Sequence, residues 1–404
     1  LNEVAITGLG VVSPHGDDAQ AMFAALMRGE SAIRPVFPEL ARPAVAAVAP
    51  FDASRWFTKL QLVGVDRVSQ MAVAAADLAV ADAGGHDGLD PSRLGVYVGC
   101  GMGGTGSLDA AYHAAFQKGG RVPPLTIPAL MANAPAAHVA MRQAARGPVL
   151  TYSVACASSA VALSEAAKAV ACGDVDMAIA GGSEAIVVPG SMMAWQAMQT
   201  LATVDPQAPG AAVKPFAAQR SGFALGEGAA FLVLERVTHA KARGASVRSL
   251  LLGWGLTCDA THLTKPDAAG QARALADALR RAQLSPSDVG YVNAHGTATR
   301  VGDVVECEAL ASVWGADLQT LRVSSTKALH GHLLGGAGAL EAVITVLALR
   351  ARRAPPNAHC EQQDPACAVA LVPDGGSEIS GPGAAISSSF AFGGTNSALL
   401  FTRD

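Results

Sequence analysis

Charge is scarce in this 404-residue chain, with Asp, Glu, Lys and Arg together making up 15% and a net charge of −4. No run of Lys or Arg stands out, so there is no general basic field for nucleic acid. Attraction to an acidic partner must come from a local patch. The seven cysteines, Cys100, Cys156, Cys172, Cys258, Cys307, Cys360 and Cys367, are odd in number, scattered and without a C-x-x-C pair. That pattern excludes a disulfide framework, argues against a zinc site and implies a reducing, cytoplasmic compartment. No apolar run reaches the roughly 20 residues of a membrane span. The chain opens on Glu3-Val4-Ala5-Ile6-Thr7-Gly8, read as a strand without a leader, so no membrane association is expected. Half of the residues are hydrophobic and 43 are glycine, enough for a large core in one big domain or two fused ones.

Short apolar runs ending in or near glycine recur: Val4–Gly8, Gly95–Gly99, Asp176–Gly182, Ala230–Leu234 and Tyr291–Asn293, with a last one at Ser397–Phe401. They read as buried strands. Helix-like stretches lie between many of them, at Ser69–Ala83, Ser158–Cys172, Gly270–Ala282 and Gly338–Arg350, which is the alternation of a layered α/β protein. The rhythm breaks at the polar segment Arg236–Gly244, before a fresh strand at Ser249–Gly253. The division is therefore set at residues 1–245 and 246–404. Gln117–Pro135, rich in Pro and Ala, is expected to form irregular loops.

The chemistry centres on Cys156, in Val154-Ala155-Cys156-Ala157-Ser158-Ser159-Ala160, where an apolar strand gives way to an Ala-rich helix. Most cysteines are inert core thiols. This one has small neighbours that leave room for a carbonyl. Its place at a helix start aims backbone N–H groups and the positive end of the dipole at the sulfur, which is expected to favour thiolate. His295, in Asn293-Ala294-His295-Gly296-Thr297, and His332, in Lys327-Ala328-Leu329-His330-Gly331-His332, are each flanked by glycine, which lets backbone approach a ligand. Neither has the paired spacing of a metal site.

Cys156 in A-C-A-S-S, His295 in N-A-H-G-T-A-T, His332 in S-S-T-K-x4-G-H-x2-G-x-A-G and Phe390-Ala391-Phe392-Gly393-Gly394-Thr395-Asn396 occur in one order along essentially the whole chain. Together they resemble the elongating β-ketoacyl-acyl carrier protein synthases of the thiolase superfamily. The resemblance implies a thiolase-like duplicated α/β core in five layers, α-β-α-β-α, usually dimeric. It also implies an acyl chain taken from acyl carrier protein onto Cys156, with the N–H groups of Cys156 and Phe392 as an oxyanion hole. His295 and His332 then bind the malonyl thioester carbonyl, decarboxylation leaves an enolate that needs donors in a dry pocket, and its attack on the acyl thioester adds two carbons. Lys327 and Glu306 match a polar pair near the histidines, expected to order them and the local backbone. Thr297 and Thr299 match positions that hydrogen-bond the phosphopantetheine arm, the carrier of the substrates; no other cofactor and no metal is implied. The Gly-His step five residues past Lys327 selects His332, leaving His330 as a neighbouring substitution.

Two departures bear on specificity. Met102, in Gly99-Cys100-Gly101-Met102-Gly103-Gly104, and Trp195 fall at positions that control acyl-pocket depth, and both are large. The segment after Phe51-Asp52, basic in relatives and used there to dock carrier protein, keeps only Lys59 and Arg67. Docking then uses other residues, or a partner subunit covers this face. That opens the alternative of a polyketide or aryl-polyene ketosynthase, as a homodimer or paired with a homologous subunit. A thiolase would close with a second reactive cysteine where this chain has Phe392–Asn396, and an initiating synthase would pair Cys and His with Asn. A non-condensing chain-length factor would lack the nucleophile that Cys156 provides.

Overall fold

Strands whose residues are apolar on both sides must be covered on both faces, and that requirement organises the molecule. In the computed structural model, which describes residues 2–379, 381 and 383–403, one mixed sheet of 11 strands runs through the chain. Its spatial order is Ala370–Leu371, Arg322–Ser324, Val289–Asn293, Ala384–Phe390, Thr395–Thr402, Ser249–Cys258, Val4–Val12, Gly228–Arg236, Met177–Glu184, Leu94–Gly99 and Val149–Tyr152.

Counted outward from the centre, each half presents its first, last, next-to-last, second and third long-sheet strand, with Ala370–Leu371 added at the far edge. Each half pairs antiparallel twice and then parallel twice. The same unit therefore occurs twice. Within this sheet the two copies pair at Ala5–Leu250 and Ile6–Ser249.

Between the copies lie the helices Ser158–Cys172 and Ala337–Ala351, each following the third strand of its half. They touch each other and strands of both halves. A side-chain carbon at Gly338 would stand 2.8 Å from Cβ of Ala160, so glycine is what allows this close crossing. Leu340, Val343, Ile344 and Leu347 on the second helix are buried, each contributing roughly 1.5–3 kcal/mol by removal from water. Arg67–Asp82 with Ala134–Arg142 covers one outer face, and Ala268–Ala282 with Gly302–Trp314 the other. These are the expected five layers.

Several expectations change at the level of elements. Gln117–Pro135 is not all irregular, since Thr126–Leu130 is a helix. The strands Val149–Tyr152, Arg322–Ser324 and Ala384–Phe390 were not legible. The first two are short, and Ser387, Ser388 and Ser389 make the third look polar although it is buried throughout. The polar segment after Arg236 is helical only over Val237–Ala242. Two 18-residue helical stretches, Ala155–Cys172 and Leu334–Ala351, are apolar enough to cross a membrane by length and composition, though both are shorter than the roughly 20 residues weighed in the sequence. They are 78% and 89% buried inside the protein, because they form the middle layer.

Candidate active site

The end of Val149–Tyr152 does not run straight into a helix. A short 3-10 turn, Ala155–Ala157, carries Cys156, and Ser158–Cys172 follows. Ala155 sits at a positive φ of 48°, uncommon for a residue with a side chain and a mark of a sharp turn at Cys156. The Ser158 hydroxyl closes it, donating to the Ala155 carbonyl at 2.7 Å and accepting from the Val154 N–H at 3.0 Å. The glycine-rich Gly99–Gly104 run packs beside this turn: a Cβ at Gly99 would lie 2.1 Å from the Ser159 nitrogen.

Strand Val289–Asn293 delivers His295 from the other half, and the loop after Lys327–His330 delivers His332. A sulfur or ring-nitrogen atom from each of Cys156, His295 and His332 lies within 4.8 Å of the other two. The imidazole planes are nearly perpendicular, with centroids 5.5 Å apart. Three side-chain donors that suit a metal, one sulfur and two imidazoles, thus converge, although nothing in their sequence spacing announces it.

Each histidine is held through its backbone. The His295 and Gly296 N–H groups donate to the two oxygens of Glu306, at 2.8 and 2.7 Å, and the Ser388 hydroxyl donates to the same carboxylate at 2.9 Å. The His332 N–H donates to the Ala224 carbonyl and its own carbonyl accepts from Gly226, at 2.8 and 2.9 Å. Both His332 ring nitrogens and Nδ1 of His295 are buried without a hydrogen-bond partner, so hydrogen-bonding capacity is left free at the base of the cavity. Burial first, and then the positive charge of Lys327, holds both imidazoles well below the usual histidine range. They are neutral at pH 7, each with one N–H to donate.

Burial works against the expected thiolate. Burial drives the Cys156 thiol up to about 12, outweighing Lys327 and the N–H groups of Phe392 and Cys156 that face the sulfur. Desolvation by the assembled pocket is stronger here than the local effect of a helix start.

Lys327 is fully buried, as expected of an ordering residue rather than a surface ion pair, but its partner is not Glu306. Its ammonium pairs with Glu341, also fully buried, on helix Ala337–Ala351. Glu341 was missed, though a lone acid in Ala337-Gly338-Ala339-Leu340-Glu341-Ala342-Val343-Ile344 was a signal: nothing polar belongs on an apolar central helix without a partner. Glu184 was missed too. Its buried carboxylate accepts from the N–H groups of Gly101, Met102 and Gly335 at 2.9, 3.1 and 3.0 Å, tying the glycine run to the turn after His332. With no cation against it, burial raises it to about 7.

A cavity of about 910 Å³ opens onto Cys156, His295 and His332 and is lined by Thr297, Thr299, Phe390 and Phe392 among others. The Thr297 and Thr299 hydroxyls lie 3.1 Å apart. Gly393 donates to the Leu263 carbonyl at 2.7 Å, fixing the Phe392 loop to the cavity rim. Met102 does not line this cavity. Its own N–H is held by Glu184, and its side chain is 43% exposed. Trp195 is likewise not a lining residue; it stands behind the wall, stacked on Phe392 at 6.4 Å and edge-on to Phe223 at 5.6 Å. His330 is buried away from the cavity, bonded to the Thr326 hydroxyl at 2.9 Å.

Sequence models of two families match: the N-terminal domain of beta-ketoacyl synthase over residues 1–240 and the C-terminal domain over residues 248–361. The chain is 37% identical to the 3-oxoacyl-[acyl-carrier-protein] synthase 2 of Rhizobium meliloti (strain 1021), covering 100% of this chain and 99% of that one. It is 35% identical to the enzyme of the same name from Vibrio cholerae, covering 99% of each. Among solved structures, a beta-ketoacyl synthase from Burkholderia phymatum STM815 superposes with a TM-score of 0.92 at 33% identity over the full length of both chains. The ishigamide ketosynthase/chain length factor does so with a TM-score of 0.92 at 30% identity, over 100% of this chain and 99% of that one. With both halves matched and full-length relatives above 30% identity, the chain belongs to the beta-ketoacyl synthase family.

Proposed function

We propose that this protein is a 3-oxoacyl-acyl carrier protein synthase that elongates acyl chains in fatty-acid synthesis, with Cys156, His295 and His332 as its reacting constellation. The observation that carries the reading is their convergence within 4.8 Å at the base of one cavity, with unpartnered imidazole nitrogens beside the sulfur.

In the first step Cys156 sulfur attacks the carbonyl of an acyl thioester. The old carbon–sulfur bond breaks, the carrier leaves as its thiol, and the proton lost by Cys156 is the one the carrier gains. The N–H groups of Cys156 and Phe392 stabilise the oxyanion. Neutral His295 and His332 then donate N–H bonds to the carbonyl oxygen of a malonyl thioester. Carbon dioxide leaves, the enolate carbon bonds to the acyl carbonyl, and the bond to Cys156 breaks, returning a sulfur anion that takes up a proton. Neutral donors suit this task because they stabilise the enolate without binding the malonyl carboxylate as a fixed ion pair, which would hold back decarboxylation. Thr297 and Thr299 hold the phosphopantetheine arm, and Glu306 and Lys327 position the backbone and charge around the histidines. The sequence of steps draws on no other cofactor and no metal, and the cytoplasm is its setting.

A homologous subunit completes the assembly. Val149–Tyr152 is an edge strand with Val149 and Leu150 40% and 45% exposed, and Tyr112, Phe116, Ile127 and Met141 are exposed on nearby helices. An unprotected edge with apolar surroundings calls for a covering chain. A second reading, a polyketide or aryl-polyene ketosynthase paired with a chain-length factor, is favoured by the similarity to structures described as ketosynthase and chain length factor complexes.

The test is to incubate the protein and Cys156→Ala with acyl-carrier proteins of graded length and then with malonyl-carrier protein, reading intact mass. A mass adduct on the wild type alone, followed by two-carbon extension, is expected. No adduct with any donor, alone or with a co-purified homologue, refutes the reading.

A further inference from the structure

Two cysteines far apart in the chain meet away from the active-site cavity. Cys307 lies on helix Gly302–Trp314, and Cys367 lies in the irregular segment that leads to the edge strand Ala370–Leu371; neither lines the cavity. Both are buried in one apolar cluster that includes Leu310, Trp314 and Val369. The Cys307 thiol donates a hydrogen bond to the Cys367 sulfur.

A set of polar contacts fixes that meeting. On the helix, Asp303 stands one turn before Cys307 and on the same face. Its carboxylate accepts from the Phe216 N–H at 2.8 Å, while the Phe216 carbonyl accepts from the Asp364 N–H at 2.9 Å. The Arg220 guanidinium ties the two acids a second time, donating to the Asp364 carboxylate at 2.6 Å and standing 3.8 Å from that of Asp303. The Asp364 carbonyl in turn accepts the Cys367 N–H at 2.8 Å. The segment with Cys367 is thus held against the helix face that carries Cys307, and an antiparallel bridge between Ala217 and Gln363 continues the hold.

The two sulfurs are not equivalent. The hydrogen bond from Cys307 and the nearby Arg220 charge hold Cys367 below the usual thiol range against the effect of burial, whereas the same bond and burial push Cys307 up. Cys367 is therefore the nucleophile of the pair. Its cover is thin: Pro365, Ala366 and Ala368 around it are exposed, so a local opening of one irregular segment admits a small oxidant. The site stands at the opposite edge of the sheet from Val149–Tyr152, where the partner subunit is placed. A metal fits poorly, since among the described residues the one group of three donors gathered closely enough for an ion is Cys156, His295 and His332.

We propose that Cys307 and Cys367 form a reversible oxidation site that reacts with hydrogen peroxide to give a disulfide. The Cys367 sulfur attacks one peroxide oxygen, the oxygen–oxygen bond breaks, water leaves with the Cys367 thiol proton, and Cys367 becomes a sulfenic acid. The Cys307 sulfur then attacks the Cys367 sulfur, the sulfur–sulfur bond forms and the sulfur–oxygen bond breaks, and a second water leaves with the Cys307 proton. Each sulfur gives up one electron, and the peroxide takes both. A single pair of this kind suits a reducing compartment, where thiol exchange restores it. The bond fastens the outer segment to the helix on which Glu306, the neighbour of Cys307, holds the His295 backbone.

The full chain is treated with hydrogen peroxide, unfolded, alkylated and peptide-mapped, beside Cys307→Ala, Cys367→Ala and Cys360→Ala, with a parallel set treated in dimedone to trap sulfenic acid. A Cys307–Cys367 disulfide is expected in the wild type, with the loss of two hydrogen atoms from its mass and full return on dithiothreitol. Dimedone is expected on Cys367 in C307A, severalfold above its level on Cys307 in C367A. The partly exposed Cys360 has no part in the bond, so C360A is expected to cross-link as the wild type does. Cys307 and Cys367 thiols that remain free when the exposed Cys172 and Cys258 are fully oxidised overturn the proposal, as does a disulfide from Cys367 to Cys360 in place of Cys307. Mapping of the wild type needs no variant, so it decides the site even if alanine at either position unfolds the protein.

Discussion

The buried pair Lys327–Glu341 supports a prediction in which two halves of one interaction behave unequally. Glu341→Gln leaves an ammonium with no counter-ion at a site with no exposure, and breaking a buried pair this way is expected to cost about 3–5 kcal/mol. Lys327→Met is different. Burial already raises the Glu341 carboxyl to about 7 even with the ammonium beside it, so most of the penalty for burying that acid is present in the wild type. Without Lys327 the carboxyl takes up a proton and sits neutral, and the loss at pH 7 is expected to be within about 1 kcal/mol. The double variant K327M/E341L removes both charges and is expected to lie near the wild type. Urea denaturation at pH 7 measures all three, provided each transition is cooperative. Lys327 also holds His295 and His332 down, so its removal raises both imidazoles. The acid limb of the condensation rate is then expected to move to higher pH in K327M, because protonated imidazole replaces the neutral donor. Equal destabilisation by K327M and E341Q, or an acid limb that does not move, would refute the reasoning.

Three further outcomes are expected. Glu184 titrates near 7 in the fold and near 4.5 unfolded, so its contribution to stability is full below about pH 4.5 and lost as pH rises through about 7; Glu184→Gln should gain on the wild type by up to about 3 kcal/mol between pH 4.5 and 8, and a difference that stays flat with pH refutes this. Leu150→Arg places a charge on the open edge strand and should convert an oligomer to monomer in light scattering; an unchanged mass sinks the interface. Zinc should inhibit acylation of Cys156 with recovery on chelation, since Cys156, His295 and His332 are spaced to take a tetrahedral ion; insensitivity to excess zinc argues that the three cannot close around one.

The active-site cavity brings together residues that the sequence showed separately. Cys156, His295 and His332 were legible because each sits in a short local pattern, small residues before a helix or glycines that let the chain approach a ligand, whereas Thr297, Thr299, Phe390 and Phe392 were legible only through the family resemblance. Glu306 was legible as a residue but not in its contacts, which reach backbone N–H groups and not the imidazole. Met102 and Trp195 were legible as large side chains, yet neither lines the cavity: Met102 is exposed and Trp195 is stacked on Phe392.

The amino-acid sequence by itself determined the layered α/β architecture, the helix at Ser158–Cys172, and the candidate site residues Cys156, His295 and His332, because periodicity, glycine placement and helix-start chemistry act over a few residues. Only the tertiary structure decided that Lys327 faces Glu341 and not Glu306, that Glu184 grips two distant loops, and that Cys156 is a thiol at rest. Ion-pair partners across the fold depend on which helix crosses which strand, and a pKa depends on how much water the finished pocket excludes. Neither quantity exists until the two halves have closed on each other.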